Sequence, residues 1–213
     1  MDEDIIVIMK PAGLAVHAGP GGGITLDDYL PDFQFDKKQP PFLAHRLDRD
    51  TSGCLILGRN KAALRLLGKL FELKRIHKTY WAVVQGQFPA KQMKIELPLA
   101  KITAQKHRWH MQVDENGQHA RTDLRVLQQQ NGFSWVALQP HTGRTHQLRV
   151  HCAAHQCPII GDSLYGTGDG LQPLLLHARS LRIPLERHGD PIIVEAPLPA
   201  HMQKFMHEQG FSI

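Results

Sequence analysis

Apolar and polar positions alternate along this chain in short, well-punctuated blocks. Ile5-Ile6-Val7-Ile8-Met9 is β-branched and ends at Lys10-Pro11-Ala12-Gly13, so it reads as a buried strand followed by a turn. Thr25 to Leu30 suits a short helix, and Lys37 to Phe42, with two prolines, suits a linker. Cys54-Leu55-Ile56-Leu57, bounded by Gly53 and Gly58, is too short for a helix and reads as a second buried strand. Ala63, Leu64, Leu67, Leu70 and Phe71 then recur at three- and four-residue spacing. That spacing predicts an amphipathic helix over 61–74, capped by Asn60, with Lys61, Arg65, Lys69 and Lys74 on its solvated face.

Lys78 to Val84 alternates like a half-buried strand, and residues 91 to 139 read as antiparallel strands. Asp114-Glu115-Asn116-Gly117 and Gln130-Asn131-Gly132 are hairpin signals. A turn at Gly143, with Thr145 as N-cap, leads into a helix through about His155. Leu174 to Ala178 and Ile192 to Pro197 supply late strands, and 199–210 a closing helix. The pattern implies an α+β fold: a mixed, mostly antiparallel sheet with flanking helices. The 213 residues, 42% hydrophobic, are enough for a single domain over 1–213 with room for two lobes sharing a core.

Charge narrows the partners only a little. The net charge of +5 suits an anionic partner without demanding one, and fourteen His add positive charge below neutral pH. Cys54, Cys152 and Cys157 are odd in number and match no disulfide framework. With an acidic N-terminus unlike a secretory signal, they point to a reducing cytoplasm. No apolar run approaches the roughly 18 residues of a membrane span. Gly19-Pro20-Gly21-Gly22-Gly23 lacks the Gly-Lys-Ser/Thr of a phosphate loop. Lys101, Lys106, His107, Arg108 and His110 form a basic segment that suits either RNA contact or a merely solvated strand.

The densest chemistry lies in His45-Arg46-Leu47-Asp48-Arg49-Asp50-Thr51-Ser52-Gly53, directly before the second buried strand. A carboxylate between guanidiniums favours its charged form, so Asp48 suits a nucleophile or an electrostatic anchor. A surface salt-bridge loop is the plainer reading of the same charges.

HRLD-x-x-TSG resembles the signature of the RluA-like pseudouridine synthases, which isomerise uridine to pseudouridine in ribosomal and transfer RNA. Further blocks occur in the family's order: Lys10-Pro11 after the first strand, Lys78-x-Tyr80, Thr142-Gly143-Arg144-x-His146-Gln147-Leu148-Arg149-x-His151, and Pro158-Ile159-x-Gly161-Asp162-x-x-Tyr165-Gly166. The resemblance runs from about Ile5 to Pro199. It implies the pseudouridine synthase fold with a central basic cleft. It makes Asp48 the catalytic residue, lays Tyr80 against the target base, and pairs Arg149 with the catalytic carboxylate. Arg46, His45, Arg144 and Lys10 then become RNA-binding residues, while Asp162 and Tyr165 brace the site wall. Many members carry an S4 domain before this point, and this chain opens at the first catalytic strand.

The implied reaction is an isomerisation, so it requires no cofactor and no metal. RNA is the partner, no membrane is involved, and the protein acts as a monomer. A carboxylate beside C1′ stabilises the positive charge that builds there when a glycosidic bond breaks. Attack at C1′, attack on the base and removal of the C2′ proton are all open to Asp48. Tyr80 suits stacking and proton relay, but equally a core Tyr with a satisfied hydroxyl. His151 and His155 are four apart on the expected helix, too few ligands for a zinc site by themselves. Two rival readings remain: a non-catalytic RNA-binding module, and a hydrolase using Asp48 and Asp50 as paired carboxylates.

Overall fold

A computed structural model describes residues 1–19, 22–105, 108–166, 172–185 and 189–213. The chain folds as two compact units, Met1–Lys78 with Ala178–Pro197, and Thr79–His177 with Leu198–Ile213.

The first unit is built on β3 (Ser52–Gly58), every residue of which is buried. Strand β1 (Ile5–Lys10) runs antiparallel to it, with Ile5 opposite Gly58 and Lys10 opposite Gly53. The short β2 (Phe42–Leu43) also pairs antiparallel with β3. Strand β10 (Leu176–Ile183) neighbours β3, and β11 (Ile192–Glu195) pairs antiparallel with β10. Helix α1 (Leu26–Tyr29) follows Thr25, whose N–H donates to the Asp28 carboxylate at 2.7 Å. Helix α2 (Lys61–Glu72) starts at Asn60, whose side chain accepts from the Ala63 N–H at 2.8 Å, as its cap position predicts. It stops short of residue 74 because Lys74 turns left-handed, at φ 55°. Its buried Leu67 joins Ile5, Cys54, Ile56, Ile76, Leu181 and Ile183 in the core of this unit.

The second unit contains a sheet in the order β4 (His77–Gln85), β9 (Phe133–Pro140), β8 (Thr122–Gln130), β5 (Gln92–Ile95), each ladder antiparallel. Asn131 and Gly132, both at positive φ, close the β8–β9 hairpin as the Asn-Gly pair predicts. The other hairpin signal has a different outcome. Strands β6 (Leu99–Gln105) and β7 (Arg108–Val113) pair with each other in a separate two-stranded sheet. The turn at Asp114–Gly117 therefore does not join sheet neighbours. It returns the chain to β6, where Gln118 bridges Leu99.

Helix α3 (Gln147–Ala154) packs Leu148 and Cys152 against Ala82, Val84, Val136 and Leu138. Helix α4 (Ala200–Glu208) buries Met202 and Met206 beside Val83 and Trp135. Among the described residues no helix is long and apolar enough to cross a membrane. Pro20 and Gly21 of the glycine-rich stretch, and Lys106 and His107 of the basic segment, lie outside the described residues.

Candidate active site

In the first unit the HRLD segment is a clamped turn. The Thr51 N–H donates to the Asp48 carbonyl at 3.2 Å, closing residues 48–51. The Arg49 carbonyl inside that turn accepts from the Gly13 N–H at 3.0 Å and from Lys10 Nζ at 2.9 Å. Lys10 also donates to the carbonyls of Pro11 and Leu14, at 2.7 and 2.8 Å. All three ammonium protons are thus directed at backbone oxygens. Lys10 is wholly buried, not a solvated side chain at the end of β1. Its positive charge instead ties the chain after β1 to the turn that presents Asp48.

Behind the turn, Thr51 and Ser52 are buried, and Gly53 adopts φ +111° with its backbone against Ala178. The His45 Nε2 accepts the Ile56 N–H at 3.0 Å, and its ring packs on Phe71 at 4.9 Å. Burial, helped by the nearby Lys78 charge, lowers its pKa to about 3. His45 is therefore neutral, and its Nε2 is occupied in fixing β3. Arg46 is exposed, and Asp48 is half-buried between buried Leu47 and Thr51.

Lys10 makes this arrangement testable through pH. Burial lowers its folded-state pKa to about 8, against Asp50 and Asp48, which raise it; the ordinary value is 10.5. Between these two pH values the unfolded chain holds more protons than the folded one, so stability rises with pH across that window. Below pH 8 both states are charged and the burial penalty is present in full. Relative to Lys10→Met, the wild-type unfolding free energy should gain about 3 kcal/mol on going from pH 8 to 10.5. Urea titrations of both proteins across that range measure it, and a constant difference would contradict the buried ammonium.

The second unit holds the other motif residues. Arg149, third in α3, is buried and donates through Nε and Nη2 to both oxygens of Asp162, each at 2.7 Å. Burial pushes the Asp162 carboxyl up, but the Arg149 guanidinium and the N–H groups of Tyr165 and Leu164 outweigh it and hold it below the usual carboxylate range. The guanidinium lies over the Tyr165 ring, 5.1 Å from its centroid. The Tyr165 hydroxyl accepts from the Met111 N–H at 2.9 Å and lies 2.8 Å from His146 Nδ1. Asp162 and Tyr165 thus brace Arg149.

Helix α3 begins one residue later than its motif suggests. His146, in the left-handed region at φ 53°, takes the N-cap position in place of Thr145, and the turn precedes it at Thr145–His146 rather than at Gly143. Thr142 donates to buried Gln147 at 2.6 Å, and Gln147 donates on to the Arg121 carbonyl at 2.9 Å. The polar density of TGRTHQ was the available signal for these two residues, which sequence reasoning passed over. Arg144 is exposed and donates to the His119 carbonyl at 3.0 Å. Tyr80, opposite Leu138 on β4, is half-buried against the core. His151 engages Thr122 at 2.9 Å and the Leu97 carbonyl at 3.1 Å, so both ring nitrogens are committed. Among the described residues no group of three or more His, Cys, Asp or Glu is placed to hold a metal ion.

Comparison with known proteins places the chain in a family. A family model described as RNA pseudouridylate synthase matches residues 4–154. An RNA pseudouridine synthase of Zymomonas mobilis is 43% identical over 203 residues, covering 93% of this chain and 92% of that protein. The ribosomal large subunit pseudouridine synthase C of Pasteurella multocida is 35% identical over 217 residues, covering 96% of this chain but 65% of that longer protein. The solved structure of human RNA pseudouridylate synthase domain containing 4 covers the whole chain and 92% of its own, at TM-score 0.85 and 26% identity. This chain belongs to the RNA pseudouridylate synthase family, whose members are RNA-modifying isomerases.

Proposed function

We propose that this chain converts selected uridines of ribosomal or transfer RNA to pseudouridine, with Asp48 as the catalytic carboxylate and the target base drawn out of its stack. The observation that carries the reading is the clamped 48–51 turn. A buried ammonium and a buried strand hold it still while Asp48 remains half-exposed. A reacting carboxylate needs that fixity, because misplacement by about 1 Å can cost about a hundredfold.

In the reaction the N1–C1′ bond breaks, the uracil turns, and a C5–C1′ bond forms. One proton leaves C5 and one is gained at N1, so atoms balance without an outside reagent. Asp48 stabilises the positive charge at C1′. Tyr80 stacks on the base, and its phenol relays the C5 proton. Arg149, fixed by Asp162, supplies the positive charge that the family resemblance assigns to the catalytic carboxylate. Arg46, exposed beside Asp48, fills the space the extruded uridine leaves, and Arg144 meets phosphate. Three buried free thiols suit a reducing compartment, so we place the enzyme in the cytoplasm.

Mapping pseudouridines in total RNA from cells with and without the gene tests the reading. One or a few sites in ribosomal or transfer RNA should vanish and return on complementation. An unchanged map would refute it.

A further inference from the structure

The β6–β7 pair forms a two-stranded sheet of its own. Between Glu96 and Asp114 its sequence has no acidic residue, but three Lys or Arg and two His. On β7, Trp109 is 40% exposed, whereas Trp135 is 8% exposed and packs edge-on with Trp81 inside the core. An exposed Trp among basic residues contributes little to a core.

What surrounds Trp109 is specific. Thr103 lies directly opposite it in the ladder, and Lys101 lies two positions along on the same face. Lys101 Nζ stands 4.6 Å from the ring centroid. The His146 ring stacks on Trp109 at 5.4 Å with planes 19° apart. His146 in turn meets Tyr165 edge-on at 5.5 Å, and Tyr165 lies under the Arg149 guanidinium. A continuous series of ring and cation contacts therefore runs from exposed Trp109 to buried Arg149.

We propose that Trp109 is a stacking platform for one unpaired base of the bound RNA, with Lys101 meeting the adjoining phosphate and His146 and Tyr165 holding the platform in register with Arg149. The inference rests on the RNA reading above and adds a recognition element to it. A flat indole with a cation at its face is the chemistry by which single-stranded RNA is gripped without base-specific hydrogen bonds. An exposed ammonium–ring contact is weaker than base stacking on Trp, so an arriving base displaces Lys101 toward its own phosphate.

The test uses the full chain and two labelled 12-nucleotide probes, an oligouridylate and an abasic ribose-phosphate oligomer of equal length, titrated by fluorescence anisotropy across a salt series. Wild type should prefer the oligouridylate. W109L keeps bulk without a π-face. It should weaken oligouridylate binding by about five- to 150-fold and leave the abasic oligomer unchanged. W109F should keep most of the preference. K101A should weaken both probes and lower the salt slope by about 0.7. The proposal falls if wild type shows no preference for bases, if W109L weakens both probes alike, or if W109L and W109F behave identically. The enzyme reading fails separately: wild type that shows this binding pattern but forms no pseudouridine in transcribed ribosomal RNA would remove the activity and leave the platform standing.

Discussion

An Asp48→Asn protein is expected to lose at least about a thousandfold in single-turnover pseudouridine formation, about 4 kcal/mol of barrier, while its fold and RNA affinity stay near wild type. The substitution keeps the side-chain shape and removes the carboxylate charge on which every proposed role of Asp48 depends. The turn does not depend on that side chain. It is closed by the Asp48 carbonyl and held by Lys10 and Gly13 on the Arg49 carbonyl. A folded protein with lost turnover therefore assigns the loss to chemistry. Asp50 shares the turn but is exposed, so Asp50→Asn should stay within a few-fold of wild type. Equal damage from both substitutions would favour paired carboxylates, and a wild-type rate in Asp48→Asn would move the chemistry elsewhere. Rates would be read on the RNA identified by mapping.

A large loss of stability is expected from Gly53→Ala. A methyl group there would lie 2.3 Å from the Ala178 carbonyl oxygen and 2.7 Å from its nitrogen, both backbone atoms that no side-chain rotation can move aside. The residue also sits at φ +111°, where an L side chain is strained. Strand β3 and its neighbour would have to part, and β3 is the most buried strand of its unit. We expect the melting temperature to fall by about 10 °C or more. Gly132→Ala supplies the comparison, since its φ is +76° with nothing within 4 Å of the added carbon. That variant carries backbone strain alone, about 1–2 kcal/mol. Equal melting temperatures for the two variants would show that the close approach at Gly53 carries no weight.

Local signals read well where the cause was local. The glycine-bounded run at 54–57, the Asn60 cap and the Asn131-Gly132 hairpin each carry their structural reason within a few residues, and each appears in the fold. The separate β6–β7 sheet was not legible, because alternation specifies a strand and not its partner. Lys10 illustrates the same limit at the site. Nothing near Lys10 in sequence marks it as buried, yet one of its three carbonyl partners belongs to Arg49, 39 residues away in sequence. His45 stood in a charged segment, yet its partner is the backbone of a buried strand. Thr145 has the better cap chemistry, but a left-handed residue at 146 starts the helix one position later. Asp162 and Tyr165 read as braces; Asp162 holds Arg149 at two points, and the Tyr165 ring lies against its guanidinium.

The Lys10 clamp also bears on how RNA is engaged. A turn held through one carbonyl by both a buried ammonium and a backbone N–H does not drift by small steps; it stays shut or comes free only when those bonds break together. The geometry around Asp48 is therefore ordered before any substrate arrives, and binding loses no chain entropy there. Under the proposed mechanism, the conformational adjustment in the encounter falls to the nucleic acid, whose stacked uridine would move to a carboxylate already in place.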